Sequence, residues 1–220
     1  MKKILVATTN PGKLKEISEM LDFDIEWKSL ADFPTVKEVK EDGETFAENA
    51  RKKALGYAKQ TGLWTLADDS GLVIDALDGA PGVKSARFSC LAPTPVVGVA
   101  EPRQLWSGAP STKNRPLLDH KNMTKVLTLL GNTPEEKRTA RFVCCLCLVS
   151  PEKVLIETEG KIEGIIAQKE AGTGGFGYDP IFFVPSLNKT VAQLQSVEKN
   201  KISHRGQAIQ RLKLLLKKLL

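Results

Sequence analysis

The chain has 220 residues, 41% of them hydrophobic and 26% charged, the balance of a globular protein whose length suits one domain or two small ones. No run approaches the ~18 apolar residues of a membrane helix, and Thr8-Thr9-Asn10 ends the N-terminal apolar run too early for a signal peptide; the expectation is a cytoplasmic protein with no membrane partner. A net charge of +6 favours anionic ligands, while Cys144, Cys145 and Cys147 are too clustered for a disulfide framework and, with Cys90, read as reduced thiols.

In chain order, Ile4–Ala7 reads as a short buried strand, Thr8-Thr9-Asn10-Pro11-Gly12-Lys13 as a loop, and Leu14, Ile17 and Leu21 as the apolar stripe of a helix. A strand, a polar loop and a helix opening with Lys13 form a phosphate-binding arrangement; a plain strand-to-helix turn is the alternative. It is not a P-loop, because Leu14 stands where Ser or Thr is required. Residues 22–44 are mixed and become acidic around Gly43. Thr45-Phe46-Ala47-Glu48 is a capping box opening a helix whose apolar face carries Phe46, Ala50, Ala54 and Tyr57. Lys53 falls in the middle of that face and is read as directed into a polar pocket rather than snorkelling outward.

Leu63–Ala67 predicts a strand running into Asp68-Asp69-Ser70-Gly71. Adjacent carboxylates at the end of a buried strand are costly unless a cation meets them, which suggests a hard-metal site such as Mg²⁺; a tight turn capped by Asp is the alternative. A further strand is expected at 72–77, then a turn at Gly79-Ala80-Pro81-Gly82. Residues 89–118 carry five prolines and no periodicity, so they read as an irregular insertion. A helix is expected from near Asp119 to Leu130, a core strand over 140–149, and two shorter strands at 154–159 and 162–167.

Thr173-Gly174-Gly175-Phe176-Gly177-Tyr178-Asp179-Pro180 combines glycines that permit close approach with two aromatic rings and a carboxylate. It reads as a base-stacking platform, the alternative being a glycine-rich hairpin turn. His204 and Arg205 stand together at the start of the last, Leu-rich helix, as an anion-recognition pair or as surface charge.

The order of these signals resembles one family. T-T-N-P-G-K at 8–13, E-x-G-x-T-F-x-E-N-A at 41–50, A-D-D-S-G-L at 67–72, G-A-P-G-V-x-S-A-R at 79–87, R-T-A-R-F at 138–142, G-T-G-G-F-G-Y-D-P-I-F at 172–182 and E-K-N-x-I-S-H-R-G-Q-A at 198–208 are similar to the motifs of the Ham1 family of inosine triphosphate pyrophosphatases. The resemblance spans the chain except the insertion, and implies a single α/β domain over residues 1–220 with a central mixed sheet flanked by helices, elongated and two-lobed, with the substrate cleft between the lobes. It also implies a homodimer that hydrolyses ITP, dITP and XTP to the monophosphate and pyrophosphate with Mg²⁺. Carried over residue by residue, Thr8, Thr9, Asn10, Pro11, Gly12, Lys13 and Lys53 would hold phosphates, and Glu41 and Asp69 would bind Mg²⁺. Asp69 would also act on the attacking water and Ser70 would touch substrate. Phe176, Gly177, Tyr178 and Asp179 would form the base pocket, and Lys199, His204 and Arg205 would read the 6-keto edge.

The sequence departs from the family between Phe88 and Asn122, where it runs longer; the excess reads as a surface excursion that leaves catalysis intact. Two other readings compete. A basic nucleic-acid-binding module would use the positive charge, but the acidic cluster Glu41, Asp68 and Asp69 opposes it, so nucleic acid is not an expected partner. A pyrophosphatase for modified pyrimidine or ordinary triphosphates would differ only in substrate preference.

Overall fold

Ile4 and Leu5 are fully buried and Val6 nearly so, the pattern of a strand covered on both faces. A computed structural model, which describes residues 1–9, 11–91 and 115–220, makes them the centre of β1 (Lys2–Val6), with β2 (Ile25–Ser29) parallel on one side and β3 (Trp64–Ile74) parallel on the other. Such parallel pairing needs a crossover, supplied by α1 (Pro11–Met20). Proline at the first helical position costs no hydrogen bond and presets the helical φ. The sheet has seven strands in the order β2-β1-β3-β4-β5-β6-β7, with β4 at Thr139–Val149, β5 at Val154–Ile166, β6 at Phe182–Val184 and β7 at Lys189–Thr190. The β5–β6 and β6–β7 pairs are antiparallel, so the sheet is mixed, as the resemblance implied.

The chain forms two compact units. The first comprises Met1–Ser70, Phe142–Ile162 and Val197–Leu220; the second comprises Gly71–Arg141 and Glu163–Ser196. In the first, Ile4, Val6, Leu66, Cys144, Leu146 and Leu148 of the sheet pack with Ile17 and Leu21 and with Ala208, Ile209, Leu212 and Leu216 of α5 (His204–Leu216). Helix α2 (Phe46–Thr61) begins at the expected Thr45 cap, whose hydroxyl accepts from Glu48 N, and ends at Gly62 in the left-handed region (φ 71°). The Glu48 carboxylate accepts from Glu44 N rather than from the cap itself. In the second unit α3 (Arg115–Leu130) packs beside the chain at 82–90. Asn122 accepts from Ser89 N and donates to the Ser85 and Ala86 carbonyls. Arg138, 1% exposed, is satisfied by the Ile166, Ala167 and Gly131 carbonyls.

Several expectations shift. β3 is one continuous strand through Asp68-Asp69-Ser70-Gly71, so the paired carboxylates lie inside a strand and not at its end. β5 likewise runs unbroken through Gly160, and β2 occupies part of the stretch read as mixed. Helix α3 starts at Arg115, with Pro116 in the first turn where proline is tolerated, so the irregular stretch is shorter than 89–118. The bulk of that stretch, residues 92–114, lies outside the described residues, as does Asn10. Among the described residues no helix is long and apolar enough to cross a membrane.

Candidate active site

The first unit gathers its charge around Asp68. Its side chain is 4% exposed and its Oδ2 accepts from Lys13 Nζ at 2.7 Å, with Arg205 Nη2 at 3.7 Å from the same oxygen. Lys53 Nζ donates to the Asp68 carbonyl at 3.4 Å and lies 3.3 Å from Glu41 Oε1. Burial alone would push Asp68 up, but the Lys13, Arg205 and Lys53 charges outweigh it and hold its carboxyl well below the usual carboxylate range. Burial likewise lowers Lys53, and is overcome by Asp68, Glu41 and Asp69, which raise it. Lys13 is instead lowered, by burial first and by Arg205 and Lys53, against the pull of Asp68; three basic side chains thus converge on one strand residue, two on its carboxylate and Lys53 on its carbonyl.

The neighbouring Asp69 is in the opposite condition. Burial pushes its carboxyl up, and repulsion from Glu41 and Asp68 adds to this, against Asn49 and Lys53; the net result is about 6. Its Oδ2 accepts from Asn49 Nδ2 at 3.0 Å and its Oδ1 from Ser70 N at 3.0 Å. Asn49, 2% exposed, accepts in turn from Gly43 N at 2.7 Å. One amide side chain thus ties the loop carrying Glu41 to Asp69, and the Gly43 N–H fixes which end of that amide faces the carboxylate. Among the described residues, no cluster of three or more His, Cys, Asp or Glu forms; Glu41 and Asp69 stand as a pair.

His204 is 8% exposed and stacks on Phe142 with centroids 5.0 Å apart and planes 19° from parallel. Burial first, then the Arg205 and Lys199 charges, lower its pKa well below 6.5, so the imidazole is neutral. Its Nδ1 has no hydrogen-bond partner among the described residues. The close seat of α5 depends on Gly160: a Cβ there would collide with the His204 carbonyl and Ala208 N. His204 and Arg205 are thus buried, correcting the surface-pair alternative.

In the same unit Thr8 is buried and Thr9 exposed, just before α1, where Pro11, Gly12 and Lys13 form the first turn. The free backbone N–H groups of a helix start suit an anion. Lys199 lies on α4 (Ser196–Ile202), and Ser203 N donates to its carbonyl.

In the second unit the glycine loop is held from behind. Phe176 N donates to Asp179 Oδ2 at 2.8 Å and Gly177 N to Asp119 Oδ2 at 3.0 Å, while the buried Tyr178 hydroxyl donates to the Ser85 carbonyl at 2.8 Å. Gly175, at φ 75°, has no room for a Cβ, which would strike the Asp179 carboxylate. Burial and the Asp119 charge push the Tyr178 phenol far above its usual range. Two successive amides spent on two carboxylates leave a poor cradle for phosphate. What the loop presents outward is the Phe176 ring, 52% exposed, a stacking face for a flat, uncharged group. The polar atoms of Tyr178 and Asp179 shape the loop.

Asp68, Asn49 and Asp119 were not among the residues assigned from the sequence. Asp68 was visible only as half of a carboxylate pair. Asn49 carries the same signal as Lys53, a polar residue on the buried face of α2.

Comparison with known proteins points to one family. The model of the Ham1 family matches residues 4–215. A Bacillus cereus protein named dITP/XTP pyrophosphatase is 45% identical over 215 residues, covering 96% of this chain and 93% of that protein. Among solved structures, a HAM1 protein from Coxiella burnetii superposes with a TM-score of 0.82 at 40% identity, covering 99% of this chain and 100% of that one. The Ham1 protein of Staphylococcus aureus gives 0.81 at 35% identity with both chains fully covered.

Proposed function

The chain belongs to the Ham1 family, and from that premise we propose that it hydrolyses non-canonical purine nucleoside triphosphates (ITP, dITP and XTP) to the monophosphate and pyrophosphate, removing them from the nucleotide pool. The observation that carries the proposal is the gathering of Lys13, Lys53 and Arg205 on buried Asp68, next to the Glu41–Asp69 pair. A polyphosphate needs several charges neutralised at once, and the reaction is otherwise positioning and electrostatics. Water adds to the α-phosphorus, the α–β bridging P–O bond breaks, pyrophosphate leaves, and Asp69 takes the water's proton. Thr8 to Lys13, with Lys53, hold the phosphates.

The donor set fits Mg²⁺. Glu41 and Asp69 offer hard carboxylate oxygens; burial raises Asp69 first, and repulsion from Glu41 adds to it, a repulsion that a divalent cation relieves. Mg²⁺ is held by one or two carboxylates plus substrate phosphates, and when bound it neutralises charge on the phosphates. Phe176 stacks the base. Lys199, His204 and Arg205 read the 6-keto edge: donors aimed at a keto oxygen would be left unpaired by the amino group of adenine. The proposal includes a cytoplasmic homodimer with no nucleic-acid partner, its assembly checked by sedimentation.

Hydrolysis in ¹⁸O-labelled water tests the bond cleaved. Label in the nucleoside monophosphate, with unlabelled pyrophosphate and a requirement for Mg²⁺, is the expected result. Label in orthophosphate would overturn the proposal.

A further inference from the structure

The glycine loop that carries Phe176 has three glycines in the left-handed region, Gly172, Gly175 and Gly177. A segment of this kind has more freedom than any other and keeps one shape only where outside groups restrain it. Its anchors comprise those that any turn has, the Tyr178 hydroxyl on the Ser85 carbonyl, and one carboxylate supplied by another element. Gly174 N donates to the Ala192 carbonyl, and Ala192 N to the Asp179 carbonyl, as in ordinary packed loops. Asp179 restrains the loop from within. Asp119 comes from a different element, the second turn of α3, and reaches the amide immediately after Phe176.

Asp119 is 8% exposed, and its two oxygens have separate duties: Oδ2 accepts from Gly177 N at 3.0 Å and Oδ1 from Arg115 Nε at 3.1 Å. The Gly177 amide is the hinge of the peptide that bears the Phe176 ring. Fixing it from α3, while Asp179 fixes the Phe176 amide, holds both ends of the residue whose ring faces outward. We infer that Asp119 is a positioning residue for substrate recognition: through the Gly177 amide it sets the plane of the Phe176 ring and so the affinity for the base. This rests on the reading of Phe176 as the base-stacking residue. It predicts an effect on binding with little effect on the chemical step, since the hydrogen bonds of Asp119 go to the Gly177 amide and to Arg115.

The test uses the full-length protein with ITP as substrate and inosine monophosphate as a calorimetric ligand. D119L keeps the size and removes the acceptor; D119N keeps the size and an acceptor oxygen, which the Gly177 N–H orients inward. F176L is the control for stacking, and D119S, too short to reach the amide, serves as a second acceptor-free variant should D119L not fold. The expected result is a rise of about 10-fold in KM and in the monophosphate dissociation constant for D119L or D119S and for F176L, with kcat within about 3-fold of wild type. D119N should stay within about 3-fold on all three quantities. A purely structural role would lower the melting temperature of D119N and D119L alike without this KM-against-kcat split. Folded acceptor-free variants with wild-type KM, beside an F176L that has lost affinity, would overturn the role of Asp119. Wild-type KM in F176L would overturn the stacking reading and the inference with it.

Discussion

Replacing Asp68 by Asn removes one negative charge and almost no volume, and it strikes the carboxylate that pairs with both Lys13 and Arg205. At an effective dielectric constant near 20, unit charges at 2.7 Å attract by about 6 kcal/mol and at 3.7 Å by about 4.5 kcal/mol, the separations of Lys13 and Arg205 from Asp68. Desolvation of the ions offsets much of this. The remaining cost of leaving buried cations without their partner is about 3–5 kcal/mol. Lys13 keeps 28% of its side chain in solvent, which places the expected loss toward the lower figure. For a chain of this length, 1 kcal/mol moves the melting temperature by about 2–4 °C, so D68N should melt at least about 6 °C below wild type at pH 7. The pH dependence has a definite sign. The folded-state pKa of Asp68 lies below the unfolded value of 3.8, so its stabilisation is fully present above that value and is lost as pH falls through the folded one. The gap between the proteins should be constant from pH 5 to 8 and narrow in more acid solution. Because the pair is buried, added salt should change it little. Scanning calorimetry of both proteins over pH 3–8 checks this. A D68N protein melting within about 2 °C of wild type at pH 7, or a gap undiminished at pH 3, would refute the reasoning.

Three further predictions follow from other contacts. N49L should lose about 10²-fold in kcat, because Asp69 loses its Asn49 bond and Glu41 its tether through Gly43; steady-state kinetics giving wild-type kcat would contradict it. His204 is kept neutral in the fold, so below pH about 6.5 the unfolded chain binds the extra proton, and this residue reduces stability by up to about 1.4 kcal/mol per pH unit as the solution is acidified. H204Q should lack that slope, and parallel urea-unfolding curves for the two proteins between pH 7.5 and 5 would contradict it. G160A should cost about 1–3 kcal/mol by pushing α5 off β5, and should lower kcat/KM because His204 and Arg205 open that helix; unchanged stability by denaturant titration would count against the close seat.

The local geometry of the candidate site was legible where it sits in local patterns. The strand–loop–helix around Thr8 to Lys13, the cap at Thr45 and the misplaced charge of Lys53 on an apolar face are all readable within a few turns of chain. What was not legible depends on distant partners. Asp68-Asp69-Ser70-Gly71 has the composition of a turn, yet β3 runs straight through it, because Lys13, 55 residues away, and Arg205 neutralise Asp68 within the strand. His204-Arg205 reads as an anion-recognition pair or as surface charge, and its burial was hidden for the same reason: nothing nearby in sequence announces Phe142 or Asp68. Gly160 reads as a break between two strands, whereas it is the space into which α5 fits. Asn49 is the exception, since a polar residue on the buried face of α2 was there to be read.

Selectivity tests the central claim most directly: kcat/KM for dITP and for dATP with the purified protein and Mg²⁺, with pyrophosphate counted as product. The account predicts pyrophosphate from dITP, a dITP preference of at least about 10²-fold, and near-absence of turnover for dATP. Equal turnover of the two nucleotides, or orthophosphate as the product, would contradict it.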